Sequence, residues 1–153
     1  MTASPHTRYL APGRFTRTVM NPLVASLTRR GVSLWGSRVL RVRGRTSGRW
    51  REVPVNLLEH DGQRYLVSPR GHTQWVRNLR VSGNGELRIG RRTEMFTAME
   101  LPDVEKPALL RDYLRRWAFE VGAFFDGVDA KATDAELRAI APRHPIFRIH
   151  PAG

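Results

Sequence analysis

Arg38, Arg41, Arg43, Arg45, Arg49 and Arg51 crowd into one short stretch, and Glu52 is the first carboxylate to follow them. Arginine carries a planar fork of N–H donors that matches phosphate and carboxylate, so repetition of that side chain points to binding of an anion with several charged groups. Gly44 and Gly48 punctuate the stretch, and Thr46 and Ser47 lie between them. Glycine lets backbone N–H groups approach a ligand closely, and the two hydroxyls add donors, so guanidinium, hydroxyl and amide together describe an anion-binding loop. A plain hairpin with a solvated basic face has the same composition, and the loop alone does not decide between them.

Other residues with chemical capacity lie downstream. His72 is a candidate proton donor, because imidazole titrates near neutrality. Trp75 is either a core aromatic or a platform for a planar ligand, and Asn78 either orients a ligand or satisfies backbone groups. Tyr113, Trp117, Phe119, Phe124 and Phe125 either line an acceptor cavity or pack a core, and Glu120 among them needs a partner if buried. No catalytic triad or carboxylate dyad is apparent. With no cysteine in the chain, disulfides, thiolate nucleophiles and cysteine-ligated metal sites are excluded.

The charge balance agrees with an anionic partner. The chain of 153 residues has a formal net charge of +12, and of its 26 basic residues only Lys106 and Lys131 are lysine. A GC-rich genome also favours arginine, so placement matters more than the total. The length suits one ordinary domain with its own core, and the 41% hydrophobic and 26% charged content is that of a globular chain. No apolar run approaches a membrane span and no signal peptide is apparent, so the expected location is cytoplasmic.

These residues need a scaffold, and its elements are legible from pattern. Residues 1–14, broken by Pro5, Pro12 and Gly13, read as a flexible arm, and residues 15–30 as a basic amphipathic helix. That helix suits packing on the domain, with peripheral contact to an anionic membrane as the alternative. Strands are predicted over Ser37–Arg43, Arg51–Glu59, Gln63–Ser68, Glu86–Ile89, Arg92–Leu101 and Pro145–His150, forming an antiparallel meander with reversals at Asp61-Gly62 and Gly90-Arg91. Helices are predicted over Thr73–Val81 with Thr73 as N-cap, over Asp103–Phe119 capped by Asp103, and after a capping box at Thr133–Glu136.

The ordered run GRTSGRWREVPVNLLEHDGQRYLVSPRGHTQWVRNLR, followed by GNGELRIGRR, resembles the deazaflavin-dependent nitroreductases, also described as F420H2-dependent quinone reductases. The resemblance spans residues 38–101, and the terminal HPIFRI is similar as well. It implies an α+β fold, a split β-barrel of antiparallel strands of the FMN-binding type with flanking helices, occupying residues 15–153. It further implies that coenzyme F420 is the cofactor, with Arg45, Thr46, Ser47, Gly48, Arg49 and Arg51 on its phosphate and oligoglutamate tail. Pro54 and Val55 would lie near the deazaflavin ring, with Ser68, Pro69, Arg70, Gly71, Trp75 and Asn78 completing the cofactor site. Many relatives carry Lys where Thr46 stands, and a longer loop after Arg70-Gly71.

The reaction so implied is hydride transfer from reduced deazaflavin to a small-molecule electron acceptor of quinone, enone or nitro type. A homodimer is an assembly that the resemblance allows. Alternatives are FMN or haem on the same architecture, or a basic domain binding nucleic acid without sequence specificity. No specific nucleic-acid partner is expected.

Overall fold

The computed structural model describes residues 37–152. The N-terminal arm over 1–14, the basic helix over 15–30 and the membrane contact assigned to it lie outside the described residues. Six strands form the scaffold: β1 (Ser37–Arg43), β2 (Trp50–His60), β3 (Gln63–Val67), β4 (Asn84–Ile89), β5 (Arg92–Glu100) and β6 (Ile146–Pro151). Helix α1 (Gln74–Ser82) joins β3 to β4, and α2 (Pro107–Val121) with α3 (Asp134–Ile140) lies between β5 and β6. Among the described residues, no helix is long and apolar enough to cross a membrane.

The strands close into an antiparallel barrel in the order β1-β2-β3-β6-β5-β4. This is the antiparallel barrel with flanking helices that the resemblance implies, although the strands do not run as one continuous meander. Two three-stranded meanders, β1 to β3 and β4 to β6, are sewn together by pairing β3 with β6 and β1 with β4. Closure leaves no open edge on which backbone groups would go unpaired.

Strict alternation drives this arrangement, because successive side chains on a strand point to opposite faces. Leu57 of β2, Leu66 of β3 and Phe147 of β6 face the interior, where α1 adds Val76 and Leu79. Their neighbours Leu58, Tyr65, Val67 and Ile146 face outward, beneath α2 and α3. Each large apolar side chain fully buried in either cluster contributes about 1.5–3 kcal/mol. At Gly85 on β4, a Cβ would lie 2.8 Å from the Arg41 carbonyl oxygen and 2.9 Å from the Phe96 ring. Only glycine lets that ring, fully buried, cross β4 so closely.

The Asp61-Gly62 turn and the Thr133 cap behave as local chemistry dictates, whereas the predicted Asp103 cap does not. Asp61 and Gly62 both have positive φ, 49° and 77°, as a tight hairpin turn requires. Thr133 Oγ1 accepts from the Glu136 N–H at 3.1 Å while Glu136 Oε1 accepts from the Thr133 N–H at 2.9 Å, completing the capping box. Asp103 does not cap α2, which is a correction. Asp103–Glu105 is a 3₁₀ turn, and the helix begins at Pro107 after Lys106. Proline has no N–H to continue a ladder from Asp103, but it suits the first helical position. Asp103 instead pairs with Lys106 at 2.7 Å, and Lys106 Nζ also donates to the Ala141 carbonyl at 2.9 Å, so this buried cation is satisfied.

Candidate functional site

The loop from Gly44 to Arg49 is closed by its own backbone. The Gly44 N–H donates to the Arg49 carbonyl at 2.8 Å, and the Gly48 N–H donates to the Gly44 carbonyl at 2.9 Å. Gly48 sits at φ +73°, a conformation that disfavours any side chain. Ser47 Oγ accepts from the Arg49 N–H at 3.1 Å. Its hydroxyl thus shapes the loop as well as lining it.

Helix α1 holds this loop in place. The buried Asn78 accepts at Oδ1 from the Arg45 N–H at 3.0 Å and from Arg45 Nη1 at 2.8 Å. Gln74 Oε1 accepts from the same Nη1 at 2.9 Å. Thr73 occupies the N-cap position of α1, but its side chain makes no cap hydrogen bond, and its buried Oγ1 has no partner among the described residues.

The six clustered arginines divide into two groups. Arg41 is engaged by carboxylates, Glu52 at 3.2 Å and Glu86 at 2.7 Å, and together with Arg43 it flanks the Trp50 ring at 4.9 and 4.6 Å. Arg38 shares the interior-facing register of Val55, and burial holds its guanidinium below the ordinary value while Glu59 opposes the shift. Arg38 and Arg41 belong to the scaffold, and exposed Arg43 braces the loop, donating from Nη1 to the Gly48 carbonyl at 2.9 Å. Arg45, Arg49 and Arg51 are exposed around the loop, and no carboxylate among the described residues pairs with them. Such a group retains charge and donors for an anion.

The remaining predicted site residues are not equivalent. Pro54 and Val55 lie on opposite faces of β2: Pro54 is half-buried on the outer face opposite Val39, whereas Val55 packs in the barrel interior. Their side chains cannot both touch one ring. Ser68 is fully buried, donates from Oγ to the Gly71 carbonyl, and ties β3 to the Pro145 carbonyl through its N–H. Pro69 is half-buried, Arg70 lies over the Phe124 ring at 5.0 Å, and Gly71 adopts φ +91° to close the turn. Trp75 is half-buried against the interior cluster, with its ring 6.0 Å from that of Phe147. Thr46 is exposed at the loop tip.

His72 is engaged at both ring nitrogens. Nε2 donates to the Pro142 carbonyl at 3.0 Å, and Nδ1 accepts from Arg80 Nη2 at 3.1 Å, while Arg80 also forks onto Glu100 at 2.7 Å. That arrangement fits a tether between the α1 entry and the Ala141–Arg143 turn, and leaves neither nitrogen free to face a reacting group.

Tyr113, Trp117 and Phe125 pack in the outer cluster, Phe124 is half-buried, and Phe119 is exposed. Glu120 is exposed and accepts from Asn56 Nδ2 at 2.9 Å. Asn56 is also hydrogen-bonded to Tyr113, whose phenol burial pushes well above its ordinary value while that hydrogen bond opposes. Sequence reasoning missed Gln74 and Asn56. A pair of amides four residues apart on one helix was the available signal for Gln74 with Asn78.

The family model described as F420H(2)-dependent quinone reductase matches residues 16–132. No curated protein matches the sequence. Among solved structures, one described as an F420-H2 dependent reductase, FDR-A, aligns with a TM-score of 0.50 at 18% identity, covering 75% of this chain and 94% of that chain. A protein described as a domain-swapped dimer aligns with a TM-score of 0.53 at 16% identity, covering 75% and 80%. HutZ, the heme storage protein of Vibrio cholerae, aligns with a TM-score of 0.52 at 13% identity, covering 77% and 82%. At such identities the structural likeness is one of fold.

Proposed function

Because this chain belongs to the F420H(2)-dependent quinone reductase family, we propose that it binds reduced F420 by its anionic tail on the Gly44–Arg51 loop and passes a hydride to a quinone, enone or nitro-type acceptor. Membership makes it an oxidoreductase. The tail site and the acceptor are the proposal. The observation that carries it is the division among the arginines: Arg38 is half-buried in the barrel wall and Arg41 is taken up by carboxylates, while Arg45, Arg49 and Arg51 surround a self-closed glycine loop with no carboxylate partner among the described residues.

The donor set fits the cofactor. A phosphodiester followed by several carboxylates needs repeated guanidinium forks, and this loop offers three with hydroxyls beside them. The chemistry that bound reduced F420 supplies is donation of a hydride, two electrons in one step. The chain's own residues bind and orient. Arg45, Arg49 and Arg51 hold the tail, Asn78 fixes the loop against α1, and Pro54 on the outer face of β2 offers an apolar surface beside which a ring can lie. His72 positions the loop before α1 rather than donating a proton.

Fluorescence titration of purified protein with F420 tests this reading. Arg45→Ala combined with Arg51→Ala should weaken binding about 100-fold, near tenfold for each charge-assisted contact removed. Unchanged affinity in the double variant, or equal affinity of the parent protein for FMN, refutes the assignment.

A further inference from the structure

We infer that Gln74 is a positioning residue that, with Asn78, presents one chosen edge of Arg45 to an oxyanion; the inference rests on the tail-binding reading of the loop. Arg45 Nη1 carries two hydrogens, and both are accounted for, one by Gln74 Oε1 at 2.9 Å and one by Asn78 Oδ1 at 2.8 Å. A guanidinium has five N–H donors, so the Nε–H and the two Nη2 hydrogens remain. Nε and Nη2 form one edge of the planar fork, the side-on edge that engages phosphate or carboxylate with two parallel hydrogen bonds. Because Gln74 and Asn78 are four residues apart on α1, one helix turn separates them and both face the same guanidinium. The Asn78 contact to the Arg45 N–H, at 3.0 Å, fixes the backbone from which the side chain starts.

The chemistry of the two acceptors matters as much as their placement. Both are neutral amides, so they orient Arg45 without compensating its charge. Arg41 is the contrast within the same strand pair: Glu52 and Glu86 hold it through carboxylates, and its charge is cancelled locally. An amide latch therefore converts a flexible exposed cation into a preorganised one, lowering the ordering cost of binding while leaving the full attraction for an anion. The ligand this edge takes is a single bidentate oxyanion, a phosphodiester or a carboxylate of the tail.

The test uses the full chain and three measurements. Nitrogen-detected NMR of the ligand-free protein should show distinct, slowly exchanging Nη1 and Nη2 signals for Arg45, collapsing in Gln74→Met. Freely rotating Arg45 in the parent protein overturns the inference. Titration should move the Arg45 Nε signal: a response to inorganic phosphate assigns the phosphodiester, a response to glutarate assigns a carboxylate, and no response to either overturns the inference.

Gln74→Met should raise both Kd and KM for F420 about tenfold, the effect of one hydrogen bond to a charged group, with kcat at saturation unchanged. Gln74→Glu preserves an acceptor but adds a charge, and should weaken F420 at least as much. Affinity for a deazaflavin analogue lacking the anionic tail should stay the same in both variants. Unchanged F420 affinity in Gln74→Glu, or equal loss for the tail-less analogue, overturns the inference. If the parent protein latches Arg45 and answers to phosphate yet does not bind F420, the inference is supported and the coenzyme reading fails.

Discussion

Lowering the pH should loosen the fold through one buried imidazole. His144 is 3% exposed, stacked on Phe125 with ring centroids 4.1 Å apart, and its Nδ1 lies 3.4 Å from the Ser68 carbonyl. Burial pushes its pKa from 6.5 down to about 4, the Ser68 contact opposes, and nearby Lys106 and Arg143 add to the depression. The unfolded chain takes up this proton near 6.5, whereas the folded chain refuses it until about 4, so protons favour the unfolded state throughout that window. The contribution is therefore zero above pH 6.5 and becomes increasingly destabilising as pH falls toward 4. The window spans about 2.5 pH units at about 1.36 kcal/mol each, or about 3 kcal/mol in all. For a domain of ordinary stability, about 5–15 kcal/mol, that is a large share. The assay is urea unfolding from pH 7.5 to 4 for the parent protein and His144→Gln, whose amide can still donate to Ser68 but does not titrate. The parent protein should lose about 3 kcal/mol more than the variant over this range. Parallel stability curves refute the reasoning. Because His144 touches Ser68, the loop carrying Pro69 and Arg70 should loosen in the same window, visible as faster amide exchange there.

Three further outcomes follow from named contacts. Gly85→Ala should cost about 1–3 kcal/mol, because its new methyl meets the Arg41 carbonyl and the buried Phe96 ring, and thermal unfolding reads the loss. Asp112 is buried, which raises its carboxyl pKa, but hydrogen bonds from His60 at 3.0 Å and Arg116 at 3.3 Å prevail and leave it below 3.8. Its stabilisation is accordingly present above pH 3.8 and lost as pH falls through the depressed value, so Asp112→Asn should flatten the acid end of the stability curve below pH 4. His72→Asn should lower the melting temperature while leaving the pH dependence of kcat unchanged, since both ring nitrogens are tied to Pro142 and Arg80; a lost ionisation in the kcat profile would instead make His72 a proton donor.

Much was determined by short-range chemistry alone. Period-two alternation located all six strands to within a few residues, the Asp61-Gly62 turn and the Thr133 capping box depend on neighbours no more than three residues away, and the glycine loop closes within itself between Gly44 and Arg49. The density of positive charge was equally legible, since six arginines without an intervening carboxylate form a local fact of composition. Tertiary structure alone decided what each arginine does, because the groups that engage them come from elsewhere in the chain: Glu86 lies 45 residues from Arg41, and Asn78 lies 33 residues from Arg45. It likewise put β6 between β3 and β5, gave His72 a carbonyl 70 residues away, and made the side of β2 that carries Val55, not the one that carries Pro54, the barrel interior. Alternation says that neighbouring residues diverge, but which face becomes the interior depends on the partner strands that close over it.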